Sequence, residues 1–144
     1  GPAPLTPRLT KRRVLIIDDD AAVRSGMAQL LCSWGCECDA AETVDEALEL
    51  AARVTPELII SDYRLKGPRT GADAIAALRE RLGIMVPALI ITGDTAPERL
   101  REATASGIAL LHKPLTPDQL QRALVELVRS PQPVVTGAHA ADAA

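Results

Sequence analysis

Residues 14–20 read VLIIDDD, four aliphatic side chains followed by three aspartates. A buried strand that needs only a soluble turn has no use for three like charges in a row. Neighbouring carboxylates repel, and those that share a space raise one another's pKa unless a cation joins them. The stretch therefore predicts a strand that delivers Asp18, Asp19 and Asp20 to a place where acid is wanted.

Similar strand-length apolar runs recur at Leu58–Ile60, Val86–Ile91 and Ala109–Leu111, with a weaker one at Cys36–Ala40. They do not alternate apolar with polar, as expected of strands covered on both faces. Helix-start signals lie between them. Thr43–Glu46, Thr95–Glu98 and Thr116–Gln119 have capping-box spacing, with Pro117 at a first helical position and Leu115 placed to staple against Leu120. Asp20 and Thr70 can cap the first and third helices, and Gly35 and Gly107 stand where helices should stop. In the first helix Val23, Met27, Leu30, Leu31 and Trp34 recur at core spacing. Strand–helix thus repeats five times, which predicts an α/β fold: a doubly wound five-stranded parallel sheet with five helices.

The chain has 144 residues, 47% of them apolar, with no Phe, one Tyr and one Trp, so its core must be aliphatic. That length suits a single domain, expected over residues 12–130. Residues 1–11 are expected to be a tag remnant or linker, because the chain opens Gly-Pro, and residues 131–144 a disordered tail. A net charge of −3 argues against nucleic-acid binding, and no apolar run has the length of a membrane span. Cys32, Cys36 and Cys38 lack a nearby fourth ligand and are odd in number. They are expected to be reduced packing residues in a cytosolic setting.

Ligands of open parallel sheets sit beyond the carboxyl ends of the strands. Those ends here carry Asp18 and Asp19, then Asp62, then Thr92 and Gly93, then Lys113 and Pro114. Two carboxylates 4–6 Å apart repel by roughly 3–4 kcal/mol at an effective dielectric near 20, so the cluster calls for a cation. Oxygen-only ligands with room for water and phosphate point to Mg²⁺, and a lysine adds a second positive group.

The segments VLIIDDD, LIISDYRL, ALIITGD and LLHKPL, in this order, resemble the receiver domains of two-component response regulators. The resemblance implies a flavodoxin-like sheet of order 2-1-3-4-5. It implies that Asp62 accepts a phosphoryl group from a phosphohistidine, and that Asp18, Asp19, Asp62 and the Arg64 backbone carbonyl hold Mg²⁺. Thr92 and Gly93 then border the phosphoryl group, Lys113 pairs with it, and the Lys113–Pro114 bond is expected to be cis. Asp20 is left for the helix cap.

Two departures stand out. Leu110 occupies the position where many receivers carry an aromatic switch residue, and the YRLKGPRT segment (63–70) runs one residue longer than the common form. Arg64 and Asp94 border the site; they are read either as an ion pair across its mouth or as two solvated charges. LIITGDTAPERLREA and LLHKPL look most like receivers at the C-terminal end of hybrid sensor histidine kinases. The implied partner is a histidine kinase or a histidine phosphotransfer protein, docking on the first helix around Ala21, Ala22, Arg24, Ser25 and Ala28. A homodimer through the last two helices is common in the family. A rival reading takes Asp18-Asp-Asp20 as the opening of a haloacid-dehalogenase-type phosphatase with Asp18 as nucleophile, leaving Asp62 and LLHKPL unexplained. A receiver that binds partners without being phosphorylated is the third alternative.

Overall fold

The computed structural model describes residues 8–93, 101, 104–105 and 108–129. Five strands form one sheet: β1 (Arg13–Ile17), β2 (Glu37–Ala41), β3 (Leu58–Asp62), β4 (Ala88–Thr92) and β5 (Ala109–His112). All pairings are parallel and the order is β2-β1-β3-β4-β5, as expected. Four helices lie among the described residues: α1 (Ala21–Ser33), α2 (Val44–Arg53), α3 (Gly71–Leu82) and α4 (Pro117–Arg129). The helix expected after Thr92, with its Thr95–Glu98 box and its Gly107 stop, falls mainly outside the described residues.

The apolar runs of the central strands divide by parity. Leu15, Ile17, Ile59, Ala88 and Ile90 face one side, where Val44, Ala47 and Ala51 of α2 and Ala74, Ile75 and Leu78 of α3 cover them. Val14, Ile16, Leu58, Ile60, Leu89 and Ile91 face the other, beneath Leu31 of α1 and Leu120, Leu124 and Leu127 of α4. Burying each such Leu, Ile or Val side chain stabilises the fold by about 1.5–3 kcal/mol, and each alanine by less. The weak β2 signal has a plain cause: β2 is an edge strand, and Glu37 and Asp39 alternate outward. β4 starts at Ala88 rather than Val86, since Pro87 has no N–H for the ladder.

The helix starts follow the expected chemistry with one variation. Asp20 accepts from the Ala22 and Val23 N–H groups at 2.9 and 3.2 Å. Thr116 and Gln119 bond reciprocally, and so do Thr70 and Asp73. Thr43 accepts from the Glu46 N–H, but the Glu46 carboxylate takes the Glu42 N–H, one residue before the cap. Gly35, at φ 91°, turns the chain out of α1 towards β2.

Three expectations are corrected. Val23 is 40% exposed, because the core-facing stripe of α1 narrows to Leu31 with Met27, Leu30 and Trp34 partly buried beside it. Cys32 is exposed, with its thiol beside that of Cys38, whereas Cys36 is buried and its Sγ donates to the Leu9 carbonyl at 3.5 Å. Burial pushes the Cys36 and Cys38 thiols up to about 11 and about 12, keeping them in the neutral form that packing requires. Leu9 is fully buried in the α1/α4-side core, so the packed region takes in residues before the expected start at 12.

Candidate functional site: an acidic corner at the carboxyl edge of the sheet

The pleat explains how distant residues meet. Val14, Ile16 and Asp18 share a parity, as do Leu58, Ile60 and Asp62, and β1 lies directly beside β3 with Ile17 opposite Ser61. The two aspartates therefore emerge side by side at the strand ends. Carboxylate oxygens of Asp18, Asp19 and Asp62 all lie within 4.8 Å of one another. Ala109 and Leu111 also face the α1/α4 side, and Lys113 continues their parity. Its Nζ comes within 3.2 Å of Asp62 Oδ1, with the lysine 45% and the aspartate 13% exposed.

Asp18 is the most constrained of the three. Its N–H donates to the Ala41 carbonyl at 3.1 Å, and its Oδ1 accepts from the Asp20 N–H at 2.9 Å. Its own carbonyl accepts from Arg24 Nη1 at 2.7 Å. Burial raises the Asp18 pKa above the ordinary aspartate value, and the charges of Asp62 and Asp19 add to the rise; the Asp20 N–H and Lys113 oppose it. An acid held up in this way beside two more carboxylates suits a hard divalent cation, and all three donors are oxygen.

Asp62 is placed by its backbone. The Tyr63 N–H donates to the Ile91 carbonyl at 2.9 Å, while Ser61 Oγ donates to the Asp62 carbonyl at 2.9 Å. The start of α3 presses against this point: a Cβ on Gly71 would collide with the Asp62 carbonyl oxygen and lie 2.8 Å from Ser61 Oγ. Only glycine fits there. Thr92 ends β4, is buried, and accepts the Lys113 N–H at its carbonyl at 2.9 Å. Gly93 follows with Lys113 Cδ nearby, and the Lys113–Pro114 bond is cis as expected.

Arg64 is exposed on the β3–α3 loop, where its backbone bridges Thr70. That loop is tied to the start of α2 by Lys66–Glu42 at 3.1 Å and Arg69–Asp45 at 3.0 Å. Asp94 lies outside the described residues, so the expected choice between an Arg64–Asp94 pair and two solvated charges falls there too. Leu110 is half-buried against the α2/α3-side core. Two contributors escaped the reading of the sequence. In the linear sequence Gly71 merely follows the loop after Asp62, and Arg24 falls among the residues of the expected docking face. Spacing alone signals neither contact.

The sequence model of the response regulator receiver domain matches residues 14–125. Response regulator MprA of Mycobacterium leprae is 30% identical over 122 residues, covering 84% of this chain and 53% of that protein. Response regulator protein FleR of Pseudomonas aeruginosa is 33% identical over 117 residues, covering 81% and 24%. The chain thus spans about half the length of MprA. Among solved structures, the Vibrio cholerae chemotaxis protein CheY4 superposes with a TM-score of 0.74 at 30% identity, covering 81% of this chain and 98% of that one. The signal receiver domain of the NarL response regulator from Mycobacterium tuberculosis gives 0.72 at 26%, covering 84% and 98%. The match runs through β3 and β5, the segments a dehalogenase-type phosphatase leaves unexplained, so that alternative falls away. Strand order, the acidic corner and these relatives agree: the chain belongs to the response regulator receiver domain family.

Proposed function

We propose that this domain is the phosphoacceptor of a two-component phosphorelay and that Asp62 is the residue modified. The observation that carries the reading is the convergence of three carboxylates within 4.8 Å, with Lys113 Nζ 3.2 Å from Asp62 Oδ1. Asp62 ends the central strand, and its carboxylate attacks the phosphorus of a phosphohistidine. The P–N bond breaks and the imidazole leaves with the electron pair. Transfer of this kind depends on alignment and on neutralising the phosphoryl oxygens more than on a proton shuttle. Lys113 supplies one positive partner, and the Thr92 hydroxyl with the Gly93 backbone another contact once the group is in place.

The Asp18, Asp19 and Asp62 carboxylates, with the Arg64 carbonyl, are the residues that would hold Mg²⁺. When bound, the ion supplies charge neutralisation at the phosphoryl oxygens. Leu110 has no ring to turn, so coupling to the output face runs without an aromatic rotation and rests on Thr92 and its neighbours.

The proposed partner is a histidine kinase or histidine phosphotransfer protein. Support comes from an open apolar groove of about 280 Å³ beside the site, where Val23, Met27 and Leu30 of α1 face Leu115 and Leu120. The small, exposed Ala21, Ala22 and Ser25 leave its approach uncrowded. The reading extends to a cytoplasmic location, which three free thiols favour, and to a hybrid sensor kinase as parent, for which LLHKPL and the preceding segment argue. No described helix is long and apolar enough to cross a membrane.

Incubation with acetyl phosphate and Mg²⁺, followed by intact mass, tests the proposal. One phosphoryl adduct that is lost in Asp62→Asn is expected. An unmodified wild-type chain, or an adduct that persists in Asp62→Asn, would overturn it.

A further inference from the structure

We infer that Arg24 is a positioning residue for the cation-binding corner, holding the peptide between Asp18 and Asp19 so that both carboxylates face Asp62. The inference rests on the proposed reading of the acidic cluster as a divalent-cation site.

The Asp18–Asp19 peptide plane is the hinge between the paired acids. Rotating it changes ψ of Asp18 and φ of Asp19 together, and so moves one carboxylate relative to the other. Its carbonyl oxygen is the atom that Arg24 Nη1 reaches, at 2.7 Å, in a partly buried contact. A charged donor at that distance makes one of the stronger kinds of hydrogen bond. The Arg24 backbone N–H meanwhile donates to the Asp20 carbonyl at 2.9 Å, so one residue grips the turn at two points. The Asp18 N–H is held by Ala41 and its Oδ1 by the Asp20 N–H, which leaves the carbonyl as the end that Arg24 must hold. Mutual repulsion of Asp18, Asp19 and Asp62 favours splaying this turn, and the Arg24 contact opposes it.

Two effects of Arg24 carry opposite signs, and this makes the idea testable. By Coulomb's law a guanidinium beside the acids weakens cation binding, so its removal should tighten binding. As a positioning group its removal should loosen binding. Calorimetric Mg²⁺ titration of the whole chain separates the two. Arg24→Gln is expected to weaken Mg²⁺ binding roughly tenfold, the scale of lost outer-shell support, with Arg24→Lys intermediate. Binding that is unchanged or tighter in Arg24→Gln overturns the inference, and a role confined to partner docking predicts that outcome. Should Arg24→Gln not fold, Arg24→Lys decides: wild-type Mg²⁺ affinity in that variant overturns it equally. A wild-type chain that takes up no Mg²⁺ sinks the cation-site reading itself, which distinguishes that failure from the failure of Arg24 alone.

Discussion

At Asp18, burial and the charges of Asp62 and Asp19 favour the protonated acid, while the Asp20 N–H and Lys113 favour the anion; burial is the largest of these and the pKa stands raised. Between the ordinary value of 3.8 and the raised folded value, the folded chain holds this proton more firmly than the unfolded chain does. The stability this group contributes is therefore present at low pH and lost as pH rises through that window. Asp18→Asn is accordingly expected to raise the metal-free stability at neutral pH, on the order of 1 kcal/mol, while abolishing Mg²⁺ binding. Urea unfolding without metal and a Mg²⁺ titration measure the two effects. In the wild type, Mg²⁺ affinity should fall as pH drops towards the usual aspartate range, because protons compete for the same oxygens. A pH-independent affinity there would contradict the assignment. Gly71 sets a steric condition at the same scale. Gly71→Ala drives a methyl into the Asp62 carbonyl and the Ser61 hydroxyl. Overpacking of this kind costs about 1–3 kcal/mol, and the displaced Asp62 should accept phosphoryl groups more slowly in a timed acetyl phosphate assay.

Among the elements, α3 shows how a helix end fixes a neighbouring strand. Arg79 is 9% exposed, and its Nε and Nη2 both donate to the Val86 carbonyl, at 3.1 and 3.0 Å. Burial lowers its pKa by penalising the charge, so the arginine is retained at a cost that the contact to Val86 offsets. Gly83, at φ 72°, lets the chain leave α3, and the Arg79 bonds then tie the returning segment just before β4. Arg79→Met keeps most of the packing but strips both donors from a buried carbonyl. It is expected to cost roughly 1–3 kcal/mol, read as a lower urea midpoint with an unchanged slope. The capping boxes were legible because their partners lie three residues apart. The Arg79 contact was not, since a lone arginine in a helical pattern reads as solvated surface until the strand it meets is in place.

For the whole molecule, the proposed reading of the acidic corner couples folding to ion binding. Asp62 joins the adjacent Asp18 and Asp19 only when the sheet is assembled, so a cation that needs all three carboxylates binds the native state far better than the unfolded one. Mg²⁺ at a hundred times its dissociation constant should add about 2.7 kcal/mol of stability. Thermal unfolding with Mg²⁺ and then with excess chelator should show a reversible rise in Tm, absent in Asp19→Asn. An equal rise in that variant would place the ion elsewhere.

The sequence by itself determined the alternation of strands and helices, the parallel sheet, the helix starts at Asp20, Thr70 and Thr116, and the residue types at each strand end. All of these are local patterns, set by periodicity, capping and turn chemistry within a few residues. That Asp18 stands beside Asp62 was implied by the family resemblance and by no local pattern; the tertiary structure supplies the cause, since β1 pairs with β3 on one side and β2 on the other. It alone showed that Leu9 belongs to the core, that Val23 does not, and that Arg24 turns back to the Asp18 carbonyl. Burial and hydrogen-bond partners depend on what arrives from elsewhere in the chain, and a linear pattern carries no record of that arrival.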